Sequence, residues 1–193
     1  MLDSSLQGDH SSFDYPIYAE FPKYQPVEYL IKWATSAWEI EQAMQIRKDV
    51  FCEEQGIFDG NDKDAIDEKA QIIVALSCEA GHPDAVVGTV RIHEDEPGVW
   101  YGSRLAVHQK FRSQGKLGAS LIKLAVSSAN WVGCTTFLAH VQSQNVPLFR
   151  RLHWDILQQE TLLNRSHHLM QARLDKYPAF KKPTEGFVIQ ARS

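Results

Sequence analysis

Hydrophobic and polar positions recur with two different periods along this chain, and the changes of period mark the elements. Residues 27–35, "VEYLIKWAT", alternate closely enough to predict a strand. Residues 36–56, "SAWEIEQAMQIRKDVFCEEQG", switch to a helical period. Ile40, Ala43, Met44, Arg47, Val50, Phe51 and Glu54 then fall on one stripe. Ser36 with Glu39 three positions later is the capping-box signature of a helix start, and Gly56 marks the stop. The following "DGNDKDAIDEK" is a polar loop. Three runs, "QIIVALSCE", "AVVGTVRIHE" and "VWYGSRLAVH", read as an antiparallel meander that turns at "AGHPD" and "DEPG". A helix of about 20 residues, roughly 30 Å long, is predicted from Ser113. Its stripe is Leu117, Leu121, Leu124, Ala125, Ser128 and Val132. "TTFLAHVQ" predicts a buried strand, and "NVPLFRRLHW" a short helix with Pro147 in its first turn. "DILQQETLL" and "HHLMQARL" predict a last hairpin closed by "NRS".

This order predicts an α/β (α+β) domain. Its sheet is mixed and mostly antiparallel, with about seven strands flanked by about four helices. The length of 193 residues suits one core, assigned to residues 28–193. Residues 1–27 form an N-terminal extension, partly disordered. Its first dozen residues are small and polar, and residues 13–26, rich in proline and aromatics, are expected to be an arm on the domain.

Composition removes several function classes. No apolar run approaches the roughly 18 residues needed to span a bilayer, so no membrane role is expected. The start lacks the basic and apolar segments of a secretory signal. Cys52, Cys78 and Cys134 are an odd, unclustered set, which argues for reduced thiols, a cytoplasmic location and no metal site. The net charge of −4 conceals an asymmetry. Between Glu53 and Glu96 there are twelve acids against three bases, whereas between Tyr101 and Trp154 there are seven bases and no acid. An acid-free stretch suits a polyanionic ligand and an acidic one a cationic ligand, unless the two faces simply pair with each other. Nucleic acid is excluded as a partner, because the bases are few and no basic-aromatic motif occurs.

The basic turn "FRSQGKLGAS" between a strand and a long helix, taken with its neighbours, carries a resemblance. "SRLAVHQKFRSQGKLGASLIKLAVSSA" and "AHVQSQNVPLFRRLHW" are similar to the cofactor segments of the GCN5-related N-acetyltransferase (GNAT) superfamily. "IRKDVFCEEQGI", "DAID" and "HHLM" resemble one bacterial subgroup of it with an IRxxVFxxEQ first helix. The resemblance covers about residues 28–178. It implies a GNAT fold and acetyl-CoA as cosubstrate, with no metal. It also implies a small-molecule amine acceptor attacked directly, and a possible homodimer. By this resemblance Leu105, Ala106 and Val107 would pair with the pantetheine arm. A backbone N–H near Leu105 would polarise the thioester carbonyl. Arg112, Ser113, Gln114, Gly115, Lys116, Leu117 and Gly118 would cradle the pyrophosphate at a helix N-terminus. Gln142 and Phe149 would stand beside the cofactor.

Three residues depart from the family pattern. Leu117 occupies a Gly or Ala slot, with Gly118 one position late. Phe149 occupies the slot of a proton-donating tyrosine, and His153 replaces a glycine. His140 and Glu54 are therefore the catalytic candidates. His140 could equally be a packed strand histidine, and Glu54 could instead pair with Arg47 and fasten its helix. His167 lines the acceptor pocket or is structural, Cys52 has no base at a recognisable spacing, and Arg150 and Arg151 serve phosphates or decorate a helix. Three functions remain open: an acetyl-CoA-dependent N-acetyltransferase, a CoA-binding sensor or partner module without turnover, and a longer-chain acyltransferase similar to autoinducer synthases.

Overall fold

The unbroken apolar run at residues 72–76 is buried on both faces, because β2 (Gln71–Glu79) lies deep within a sheet covered on both sides. The computed structural model describes residues 26–114 and 116–191. The N-terminal extension up to residue 25 and Gly115 lie outside the described residues. Besides β2, the sheet contains β1 (Glu28–Trp33), β3 (His82–Glu96), β4 (Val99–Val107), β5 (Thr136–Gln142), β6 (Trp154–Leu162), β7 (Arg165–Ala172) and β8 (Phe187–Gln190). The helices are α1 (Ala37–Lys48), α2 (Leu117–Trp131) and α3 (Val146–Arg151). The strand order is β6-β7-β5-β4-β3-β2-β1-β8. Every pairing is antiparallel except β4 with β5.

Period-2 alternation sorts side chains onto the two faces. On one face Ile73, Ala75, Val90 and Ile92 meet Leu117, Leu121, Leu124 and Ala125 of α2 in the larger core. On the other, Ile72, Val74, Leu76 and Val86 meet Ala43 and Ile46 of α1, with Val50 and Phe51 just beyond it. Each such Leu, Ile or Phe contributes roughly 1.5–3 kcal/mol by leaving water.

Several sequence expectations are revised. The first helix does not run as one α-helix to Gly56: α1 ends at Lys48, and Asp49–Glu54 form a π-helical turn. The wider turn rotates the residues beyond it, so Glu54 leaves the Arg47 stripe. Ile40 is exposed, while Ile46 is buried in its place. The long helix starts at Leu117 and spans 15 residues, preceded by a 3₁₀ turn at Gln109–Gln114. The last hairpin turns at Leu163 and Asn164, both with positive φ (51° and 58°), rather than at "NRS". An eighth strand, β8, pairs with β1, where about seven strands were expected. The capping box is present, with Glu39 accepting the Ser36 N–H at 3.1 Å.

Candidate active site

The parallel pairing of β4 with β5 covers only three register pairs: Val99 with Thr136, Trp100 with Phe137 and Tyr101 with Leu138. Beyond them β5 continues against β7, and residues 102–107 of β4 keep only β3 as a partner. The sheet therefore opens into a wedge, and its narrow end is at Gly102. A Cβ there would stand 3.1 Å from the Phe137 ring, so only glycine lets β5 come this close without displacing the ring.

A bulge sharpens the wedge. Thr89 and Arg91 are two apart on β3, but their partners Ala106 and Ser103 are three apart on β4. Arg104, in the bulge, has φ 54°, a conformation that costs an ordinary side chain roughly 1–2 kcal/mol. Ion pairs offset that cost. Arg104 Nε lies 2.8 Å from Asp62, Nη2 lies 3.2 Å from Asp64, and the guanidinium sits 4.5 Å from the centroid of Phe58.

Three acids of the polar loop, Asp62, Asp64 and Asp67, are thus gathered around three arginines. Arg47 binds Asp62 at 2.8 Å and Asp67 at 2.6 Å, and Arg91 binds Asp64 at 2.6 Å and Asp67 at 2.8 Å. Arg47 and Arg91 are almost fully buried. Burial alone would raise the Asp67 carboxyl, but hydrogen bonds from Arg47 and Arg91 hold it well below the ordinary carboxylate range. Arg91 likewise lowers Asp64. Burial, reinforced by the charge of Arg91, lowers Arg104.

A cavity of about 470 Å³ passes through the wedge and has two unlike halves. On the α1 side it is lined by Asp64, Arg91, His93, Tyr101, Arg104 and His140, together with the apolar Phe51, Ile57, Phe58 and Ile66. On the α2 side it is lined by Ile122, Ala125, Phe137, Phe149 and Trp154.

His140 stands on the charged side. Its Nδ1 is hydrogen-bonded to the Glu160 carboxylate, which can only accept, so Nδ1 carries the proton and Nε2 is the basic nitrogen of the neutral ring. The ring stacks on Tyr101 (centroids 5.9 Å apart, planes at 11°), and Tyr101 stacks on His93 (5.9 Å, 21°). Burial lowers the pKa of His93, and its buried Nδ1 has no hydrogen-bond partner among the described residues. His167 also lines the cavity and donates from Nδ1 to the Arg165 carbonyl at 2.9 Å.

The other sequence candidates are scattered around this cavity. Leu105, Gln142 and Phe149 line it. Ala106 is buried beneath α1, and Val107 packs on the larger core while its carbonyl accepts from Arg112 Nε at 2.9 Å. Ser113 and Lys116 are exposed and Gln114 is half-buried, just before α2. Leu117 is buried at 2% exposure in the larger core. Gly118 faces outward, where an added Cβ would meet nothing within 4 Å. The family's small residue is thus displaced by one position, and the bulk of Leu117 points away from the helix start. Phe149 is edge-on to Trp154 at 5.0 Å and has no proton to give.

Glu54 is not among the residues lining the cavity. It pairs with Arg112 instead of Arg47. The Cys52 thiol is pushed up by burial and is no ready nucleophile. Tyr101, His93, Glu160 and Asp64 are site residues that the sequence did not single out. The alternation of Arg91, His93 and Asp95 in "VRIHED" carries a signal for His93 alone. Glu160 has none, because its contact spans two strands of the sheet.

The profile of the Acetyltransferase (GNAT) family matches residues 27–154, and the chain belongs to that family of acyl-CoA-dependent acyltransferases. Solved structures share its fold. A candidate N-acetyltransferase from Lactobacillus plantarum superposes with a TM-score of 0.67 at 19% identity, covering 76% of this chain and 98% of that one. BjaI, a CoA-dependent acyl-homoserine lactone synthase solved with SAM and isopentyl-CoA, gives 0.63 at 18% identity over 77% and 86% of the two chains. FeeM, an N-acyl amino acid synthase from uncultured soil microbes, gives 0.62 at 10% identity over 79% and 95%. No curated protein sequence matches the chain. No helix among the described residues is long and apolar enough to cross a membrane, and none of their acidic, histidine and cysteine side chains form a metal-binding group.

Proposed function

We propose that this chain is an N-acyltransferase that moves an acyl group from an acyl-CoA to the amine of a small cytoplasmic molecule by direct attack, with acetyl-CoA as the simplest donor. The observation that carries this reading is the two-sided cavity through the β4–β5 wedge, with His140 on its charged side.

The chain's own groups divide the work. The β4 edge around Leu105 to Val107 lies open toward β5 and offers backbone donors and acceptors to the amide-bearing arm of CoA. An N–H near Leu105 can polarise the thioester carbonyl. At the start of α2 the N–H groups of Leu117, Gly118 and Ala119 have no acceptor within the helix, which suits phosphate, and Lys116 adds charge. On the other face Asp64 is already held by Arg91 and Arg104, and Asp95 is the carboxylate left to favour a cationic acceptor. In the reaction a C–N bond forms and the C–S bond breaks. His140 Nε2 takes the proton lost by the attacking nitrogen, and the imidazolium returns it to the departing thiolate directly or through water. That role removes the need for a tyrosine at Phe149. Glu160 acts by positioning His140.

Mass-spectrometric turnover across amines, polyamines and amino-acid derivatives tests the reading. Product formation dependent on His140 is expected. Tight CoA binding without product from any acceptor would make the chain a binding module, and absence of CoA binding would overturn the reading altogether.

A further inference from the structure

Two of the arginines that line the cavity are neutralised within the fold, and a third is not. Arg91 and Arg104 share the loop aspartates Asp62, Asp64 and Asp67. Histidines aside, the charged groups left in the lining are Asp95 and Arg165, and neither forms an ion pair among the described residues. Arg165 is exposed and opens β7, directly after the hairpin turn. It is held in place all the same, because its Nη2 donates to the Gln55 backbone carbonyl at 2.6 Å, across 110 positions of sequence. That acceptor is neutral and takes one bond, so the rest of the guanidinium fork and its whole charge stay available to a ligand. Arg150 and Arg151 also lack acidic partners, but they do not line the cavity.

The sheet register places this group relative to His140. Leu169 stands opposite His140, and His167 opposite Gln142. Arg165, two residues before His167, shares their face and lies about 13 Å along the strand from the level of His140, toward the open end of the wedge. Asp95 lies the other way. Its neighbours Glu94 and Glu96 pair with Trp100 and Val99, at the closed end. The lining thus carries an unpaired negative group at one end and an unpaired positive group at the other, with His140 between them. The neighbours of Arg165 are amides rather than acids: Gln142 Nε2 donates to Gln55 Oε1 at 3.1 Å, and both glutamines line the cavity.

We propose that the acceptor is an amine that also carries a carboxylate, an amino acid in its simplest form, and that Arg165 determines this specificity by binding the carboxylate while the amine faces His140. The proposal rests on the acyl-transfer reading above and specifies its acceptor. A simple amine would leave Arg165 without a counter-charge, and a polyamine would bring a second ammonium toward it. A carboxylate presents two oxygens to the guanidinium fork, the geometry in which arginine binds most strongly. The phosphates of CoA are the other anions to consider. Their cradle is at the start of α2, which packs on the opposite face of the sheet from α1.

The test is calorimetry on the chain saturated with CoA. Amino acids are titrated beside the amines left when their carboxylates are removed: leucine with isoamylamine, phenylalanine with phenethylamine, and 6-aminohexanoate with pentylamine. At least one amino acid should bind about tenfold or more tightly than its amine, the ratio expected for one charge-assisted contact. Arg165→Gln should bring that ratio close to one. Equal or tighter binding of the amine in every pair would overturn the proposal, and that comparison needs no variant to fold. An unchanged ratio in Arg165→Gln would also overturn it, and a fall in CoA affinity alongside would give Arg165 to the phosphates of the donor. If none of these acceptors binds a chain that still binds CoA, the proposal falls and the acyl-transfer reading stands. Failure to bind CoA would remove both.

Discussion

Glu54 grips Arg112 at two points, Oε1 to Nη1 at 2.6 Å and Oε2 to Nη2 at 2.7 Å, across 58 positions of sequence. The pair joins the π-helical turn after α1 to the segment expected to cradle phosphate. The Arg112 hydrogen bond holds Glu54 below its ordinary carboxylate range. Both side chains are 39% exposed, so the pair adds little to stability. Its consequence is competition, because a phosphate and Glu54 want the same guanidinium. Glu54→Gln should tighten CoA binding by about threefold to tenfold at low salt, and Arg112→Gln should weaken it about tenfold. Calorimetry in low and high salt checks both, and a large loss of kcat in Glu54→Gln with unchanged CoA affinity would make Glu54 a base instead.

The His140–Glu160 contact predicts a different signature. His140→Gln should lower kcat by roughly 10²-fold or more and leave the KM for acyl-CoA within about twofold, as expected for loss of a general base. Glu160→Gln should lower kcat less, since Nδ1 keeps an acceptor. Steady-state kinetics with saturating acceptor separates the two.

The three-arginine, three-aspartate cluster should dominate the response to acid. Asp64 and Asp67 have folded-state pKa values below their unfolded ones. Their stabilisation is therefore fully present above the unfolded value near 4 and is lost as pH falls toward the folded values. Urea midpoints should hold steady above about pH 5 and drop steeply below about pH 4. Arg91→Ala should cost about 3 kcal/mol at neutral pH, because it leaves two carboxylates short of a partner. It should also flatten the acid limb.

Leu117 and Gly118 should separate folding from ligand binding. Leu117→Ala removes a core side chain and should cost about 2–5 kcal/mol of stability, with CoA affinity nearly unchanged. Gly118→Leu adds bulk where nothing opposes it, so stability should hold while CoA affinity falls several-fold. Thermal melts and calorimetry on both variants read the two effects.

The fold was largely legible because its signals are local. The run at 72–76, the Ser36–Glu39 box and the turns around Gly56 and Gly98 each encode their own neighbourhood. The site was less so. His140 could be nominated from its place beside the wedge, but Glu160 reaches it across β7, and no sequence spacing records such a contact. Arg47 and Glu54, seven apart, share a face in a regular α-helix. The π-helical turn separates them and gives Arg47 to Asp62 and Asp67. Leu117, which departs from the family pattern, turns its side chain into the larger core, a placement that its slot in the motif does not announce. β8 has four residues and no alternation strong enough to announce it, and it exists because β1 offers an edge.

Three register pairs are a narrow seam for an eight-stranded sheet. Mechanically the molecule is two leaves bound along a short spine, with β8, β1, β2, β3 and β4 on one side and β5, β7 and β6 on the other. A donor lying along β4 would act as a ninth strand and stitch the leaves together. Amide exchange should then slow on both leaves when a single small molecule enters, including at residues that never touch it.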